Sequence, residues 1–322
     1  MKQTLLRAAI SGLFLFLLFY FMRDSAPQIG HALLHIHRPL CAAAAFLFLS
    51  TVFILAQRLK LIFSVENLRI SIGEASSLTF VGYFFNNFLP TSVGGDIVKA
   101  MCAAKITGEP VKSVTSVLMD RIFGLFTFIL IPSVSLLFFL KNIQNPAVPA
   151  LVYSFLIASI FCFFLLFNRG IARHFRFVET VLNFLRLGEK IRKVYDGLHN
   201  FKNHRSIMAQ AMLLSILGQS VGIVVLYMLA AALGARVNII YFFLLVPVVH
   251  LISMLPSVNG LGIREGGYIY FLGPYIGKEN AAALGLLWLG LLFLASLIGG
   301  LIYFVRQDYH VKFSLGSKKE RL

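Results

Sequence analysis

The sequence predicts an all-α, polytopic membrane protein, and three observations carry that prediction. Hydrophobic residues fill 58% of its 322 positions and the mean hydropathy is +0.83, a composition of membrane spans rather than of a water-soluble core. Six apolar runs reach or approach the roughly 20 residues that cross about 30 Å of hydrocarbon. Two further apolar regions are each interrupted by a proline followed by glycines.

In chain order, the first run is Leu5–Met22, behind Lys2 and Arg7. It resembles a signal peptide but is long for one, and Pro27 sits just past the small-residue pair Ser25-Ala26, so it reads as an uncleaved span. His31, His35 and His37 follow in an outer loop. Their HxxxHxH spacing would need a fourth ligand to hold a metal, and none is evident; neither a metal nor a cofactor is expected. The next runs are Leu40–Gln57, Val114–Leu140, Val148–Phe167, Ile207–Leu233 and Ala281–Val305. Cys41, Cys102 and Cys162 lie in or beside apolar runs without paired spacing, which predicts neither a disulfide framework nor a zinc site.

The formal charge of +16 does not point to nucleic acid, because the basic residues are dealt out among the loops. They orient the chain instead. Nine lie between residues 168 and 206, against Glu179, Glu189 and Asp196, and five more lie in the tail from Arg306 to Arg321. By the positive-inside rule these segments are cytoplasmic, as are Lys2, Arg7, Arg58, Lys60 and Arg69. Both termini are then cytoplasmic, in a cell (inner) membrane. The basic connector also reads as interfacial helices on an anionic surface.

This orientation fixes the two interrupted regions. Ser76–Ile106, broken at Pro90, enters and leaves from the cytoplasmic side, and Ile239–Gly277, broken at Pro256, does so from the opposite side. Each is expected to be a re-entrant hairpin buried in protein or lining a wet cavity. The order of span, hairpin, span occurs twice, in repeat one (about residues 40–140) and in repeat two (about 207–305), within one integral membrane domain, 1–322. The repeats run oppositely through the membrane, the inverted-repeat pattern of secondary transporters.

The hairpin tips carry the candidate chemistry. In FFNNFLPTSVGGDIVKA, the chain turns through Gly94 and Thr91 or Ser92 is placed to cap a helix restarting at about Gly95, with Asp96 in its first turn and Lys99 one turn on. Exposed N–H groups at such a start suit an anion, phosphate above all. Asn86 and Asn87 are expected to line the cavity. In MLPSVNGLGIREGG, Asn259, Gly260, Arg264 and Glu265 lie between apolar limbs. Arg264 either grips a phosphate in a forked geometry or, with Glu265, pairs with the first hairpin and locks the repeats together. Asp120 is expected to meet Lys99 or Arg264, and Arg121 to meet Asp96 or Glu265. His250 serves either as a structural histidine or as a proton relay.

These strings, with DRIFG from Asp120 to Gly124, resemble the membrane family typified by the lysylphosphatidylglycerol synthase/flippase transmembrane domain, over nearly the whole chain. The family's motif positions correspond to Asn87, Pro90, Gly94, Gly95, Asp96 and Lys99, and to Pro256, Asn259, Gly260, Gly262, Arg264, Glu265 and Gly266. The resemblance implies a domain that moves a phospholipid between leaflets. With the chain stopping at Leu322, it leaves no room for the soluble aminoacyl-transferase domain, so no synthase activity is expected. Nor does a GxxxxGK[ST] string occur that would let ATP drive transport directly. The expected function is therefore a flippase-like transporter, not an enzyme, for an anionic phospholipid or polyprenyl-phosphate-linked lipid. The alternative is a membrane-embedded transferase or an accessory subunit of one. Membrane lipids are the expected partners, and a homo-oligomer is compatible with the sequence.

Overall fold

The structure, a computed structural model, describes residues 26–89, 93–139, 147–167, 188–254 and 260–309. The expected span Leu5–Met22, the tip residues Thr91, Ser92 and Asn259, and much of the basic connector lie outside the described residues. Among them every regular element is helical. In order these are α1 (Ala26–Leu34), α2 (Arg38–Val65), α3 (Ile72–Phe88), α4 (Gly94–Thr107), α5 (Pro110–Phe139) and α6 (Ala147–Phe167). After the connector come α7 (Gly188–Asn200), α8 (Arg205–Ala232), α9 (Ile240–Ile252), α10 (Ile263–Phe271), α11 (Gly273–Ile276) and α12 (Lys278–Val305). Four of them, α2, α5, α8 and α12, are long and apolar enough to cross a membrane. The chain is a polytopic helical membrane protein.

Both hairpins form where the prolines and glycines place them. The first limb, α3, starts four residues before the expected Ser76. Ser71 Oγ accepts from the Glu74 N–H (3.1 Å) while Glu74 Oε2 accepts from the Ser71 N–H (2.7 Å), a reciprocal capping box. It stops at Leu89, whose extended ψ of 137° is what the following Pro90 imposes. In the second hairpin, Gly260 and Gly262 turn the chain at φ of 74° and 81°, a region that side-chain-bearing residues avoid. A Cβ on Gly260 would also stand 2.9 Å from the Ser253 side chain.

One expected boundary is wrong. The span expected over Leu40–Gln57 does not end at Gln57 with Arg58 and Lys60 in a cytoplasmic loop; α2 continues to Val65. Leu59, Ile62 and Phe63 extend its buried face for two more turns and carry Arg58 into the interior with them.

Packing follows an exchange. The first hairpin limb α3 lies on α12, the last span of the other half, and α9 lies on α5, the last span of the first half. The opening spans α2 and α8 pack on each other. Their contacts run antiparallel: the His37 N–H donates to the Ala232 carbonyl (3.0 Å) at one end, and Arg58 meets Ser215 (3.0 Å) farther along. Two opposed copies of one unit require this relation, since corresponding helices must then point oppositely.

The α3–α12 seam is the tightest. A Cβ on Gly299 would stand 2.0 Å from the Phe80 carbonyl oxygen, so only glycine lets the backbones approach this closely. Ser296 Oγ donates to the Tyr83 carbonyl (3.0 Å), and Asn87 Nδ2 donates to the Leu292 carbonyl (3.2 Å). Beyond α12, a short 3-10 turn (Gln307–Tyr309) tucks the fully buried Tyr309 ring among Leu59, Val98 and Cys102 of the first half. Arg306 donates to its hydroxyl (2.8 Å).

The seam yields a paired expectation. Gly299→Ala must push α12 off the α3 backbone and lose about 1–3 kcal/mol, whereas Gly290→Ala, with nothing within 4 Å of its new methyl, stays near neutral. Thermal unfolding in detergent checks this; equal melting temperatures for the two variants would contradict the close approach.

Candidate functional site

The first hairpin and the span after it build the charged centre. α4 and α5 run antiparallel, joined near the Gly108 turn, where Thr107 and Ser113 hydroxyls bond at 2.9 Å. Farther along, Lys99 Nζ donates to Asp120 Oδ2 at 2.9 Å. The other oxygen, Asp120 Oδ1, accepts from Arg58 Nε at 2.7 Å. Arg58 Nη1 donates to Ser215 Oγ at 3.0 Å, which ties α8 into the same centre. All three charged residues are at most 7% exposed. Two cations on one carboxylate leave one net positive charge in the interior. Ionised groups taken out of water need partners of this kind, because their desolvation is otherwise uncompensated.

One helical position away, Arg121 bonds Asp96, and both side chains are 22% exposed. The adjacent residues Asp120 and Arg121 therefore divide between an inner cluster and an outer pair, as the roughly 100° between neighbouring helix positions directs. Of the expected partners, Asp120 takes Lys99 rather than Arg264, and Arg121 takes Asp96 rather than Glu265.

The expected caps of α4, Thr91 and Ser92, lie outside the described residues. Val93 precedes the helix without a side-chain cap. Asn86, reaching across from α3, accepts from the Gly95 N–H at 2.9 Å. Gly94 and Gly95 are buried, and a Cβ on Gly95 would collide with the Gly82 carbonyl oxygen at 2.2 Å. The glycine there serves close packing of the hairpin limbs. Asn86 and Asn87, expected to line a cavity, are engaged in protein contacts: Asn86 with α4, and Asn87 with Leu292 and Ser296 of α12.

In the second hairpin Arg264 and Glu265 turn to each other. Arg264 Nη2 and Nε donate to Glu265 Oε1 at 2.7 and 3.1 Å, and Glu265 Oε2 accepts from the Gly262 N–H at 2.7 Å. The carboxylate thus caps α10 and neutralises its neighbour, and among the described residues the expected lock between repeats through this pair does not form. A Cβ on Gly285 of α12 would stand 3.2 Å from Glu265 Cγ, so the pair fills the space a side chain there would take. Gly260 holds the turn ahead of it.

His250 has structural partners. Its Nε2 lies 2.8 Å from the Tyr268 hydroxyl, its ring stacks on Trp288 with centroids 5.7 Å apart, and it meets the edge of Phe128. His31 and His35 stack on each other at 3.9 Å and His37 accepts from the Leu40 N–H (3.3 Å). Among the described residues no group of three metal-ligating side chains converges.

The residue that sequence reasoning missed is Arg58. Its signal was the apolar periodicity that continues past it through Leu59, Ile62 and Phe63, which places an arginine inside a helix rather than after one.

Asp120→Asn leaves two cations facing an amide and is expected to cost about 3–5 kcal/mol. Adding Lys99→Gln to it removes one orphaned cation and recovers part of that loss. Detergent melting curves of both variants check the pairing; a double variant no better than the single one would deny the Lys99–Asp120 bond.

No curated protein and no solved structure matches the chain. The family model described as the lysylphosphatidylglycerol synthase TM region matches residues 4–300. That match, over the helices that carry the paired Lys99–Asp120 and Arg264–Glu265 charges, means that the chain belongs to the lysylphosphatidylglycerol synthase TM-region family.

Proposed function

We propose that the protein is a flippase-like lipid transporter that carries a lipid with an anionic phosphate headgroup between leaflets. The observation that carries this reading is the buried excess of cations over carboxylate at Arg58, Lys99 and Asp120. A net positive charge held away from water is stabilised by an incoming anion, and a lipid phosphate supplies one while its acyl chains stay in the bilayer. Family membership supports a role with membrane lipids.

In this reading Lys99 and Arg58 attract the headgroup and Arg121 receives it beside Asp96. Arg264 serves the opposite hairpin. Thr91, Ser92, Gly94, Gly95, Asn259 and Gly260 shape the tips around the lipid. The protein sits in the cell membrane with both termini cytoplasmic, as the basic connector and tail suggest.

An embedded transferase needs a carboxylate available as a base. Here Asp96, Asp120 and Glu265 are each bonded to an arginine or lysine, which favours transport over group transfer.

Leaflet movement in proteoliposomes tests the proposal. Lys99→Gln removes the excess charge and leaves Arg58 on Asp120, so it is expected to slow phosphatidylglycerol or polyprenyl phosphate at least tenfold in a protein that still folds. Absence of movement with every anionic lipid in the wild type would overturn the reading.

A further inference from the structure

The outer pair Asp96–Arg121 stands in an unusual place for charges. Asp96 is the third residue of α4, 11 positions from its far end at Thr107, roughly 16 Å along the axis, which is mid-membrane depth for a hairpin entering from the surface. At that depth an ionised pair with a fifth of its side-chain surface exposed is expensive if it faces only hydrocarbon. The pair is nonetheless flanked by exposed apolar side chains. At the start of α4 these are Val93, just before the helix, and Ile97, one turn on. On α5 they are Val114 and Leu118, which with Arg121 form a stripe at i, i+4 and i+7. The charges therefore break through a lipid-facing seam between two antiparallel helices. Immediately behind them, on the next residue of α5 and the next turn of α4, lie Asp120 and Lys99 of the positive inner cluster.

Resting on the transport reading above, we propose that the α4–α5 seam is the side entrance for the lipid and that Asp96–Arg121 is its exchangeable latch. A phosphate headgroup arriving from the bilayer replaces the Asp96 carboxylate on Arg121, and the displaced carboxylate is offset by the surplus cation of the inner cluster, at Lys99 one helical turn along α4, so that Arg58, Lys99 and Arg121 face Asp96, Asp120 and the phosphate with no net charge left over. The acyl chains lie along Val93, Ile97, Val114 and Leu118 and never leave hydrocarbon. Arginine suits the exchange because its planar fork binds carboxylate and phosphate with the same two-pronged geometry. Once on Arg121, the headgroup is one residue along α5 from Asp120, which Lys99 and Arg58 both bond, and their excess positive charge draws it inward.

A photo-cross-linking amino acid at Ile97, at Leu118 or at Leu217, an exposed α8 position, tests this in full-length protein. The vesicles are phosphatidylcholine with a trace of labelled phosphatidylglycerol, polyprenyl phosphate or phosphatidylcholine. Adducts at 97 and 118 are expected to favour one of the anionic lipids at least fivefold, and adducts at 217 to follow bulk composition. Arg121→Gln should abolish the preference. Asp96→Asn, which takes away the competing carboxylate, should strengthen it, and this variant decides the matter if the arginine variant does not fold. Equal labelling by all lipids at 97 and 118, a preference that survives Arg121→Gln, or one that Asp96→Asn leaves unchanged or weaker would overturn the entrance. Leaflet movement without a seam preference sinks this route and leaves transport standing. A seam preference without leaflet movement does the reverse.

Discussion

A helix that begins inside a packed bundle exposes its first backbone N–H groups and its charged side chains where buried neighbours shut water out. That constraint organises the first half of this protein. The start of α4 is met by the Asn86 side chain from the opposite limb, Lys99 is met by Asp120 from α5, and Asp120 needs Arg58 from α2, which in turn reaches Ser215 on α8. Four helices are thereby tied to one interrupted helix by hydrogen bonds that have no solvent substitute. Close glycine packing at Gly95 brings α3 near enough for the short Asn86 side chain to reach the start of α4.

The two halves solve the same problem differently. In the first, the carboxylate comes from the span that follows the hairpin, and a surplus cation remains. In the second, the carboxylate is the next residue along the chain, and Arg264 is neutralised on the spot. Gly285 stands as far beyond Arg264 as Asp120 stands beyond Lys99, 21 residues, and its missing side chain makes room for Glu265. The scaffold is nearly reciprocal while its electrostatics are one-sided, so an anion finds unequal attraction in the two hairpins.

Much of this was legible in the sequence, for identifiable reasons. Hydropathy and proline-glycine punctuation located both hairpins because a membrane permits so few ways to break a helix. Loop charge suggested opposed halves, and the antiparallel α2–α8 pair has that relation. What stayed hidden depends on partners distant in sequence. Arg58 looked like a loop cation because a charge count cannot see that the apolar face of α2 continues on the far side of the helix. Asn86 lies beyond the turn it caps, whereas capping rules look next door, to Thr91 and Ser92. The partners of Asp120 were half visible: Lys99 followed from hairpin geometry, but Arg58, 62 residues earlier, could come only from tertiary packing. Arg264 and Glu265 pair although adjacent, which the angle between neighbouring helix positions argues against and a long, flexible arginine permits.

The seam between α3 and α12 also sets an order of events during biogenesis. Asn87 finds its partner Ser296 only when 209 further residues have been made, and Leu59 waits longer still for Tyr309. At about 5–20 residues per second, that is on the order of 10–40 s of synthesis. For that interval the first hairpin sits in the membrane with an uncovered polar flank, held by its local bonds to α4 and α5. A chain released before α12 is finished would leave that flank uncovered.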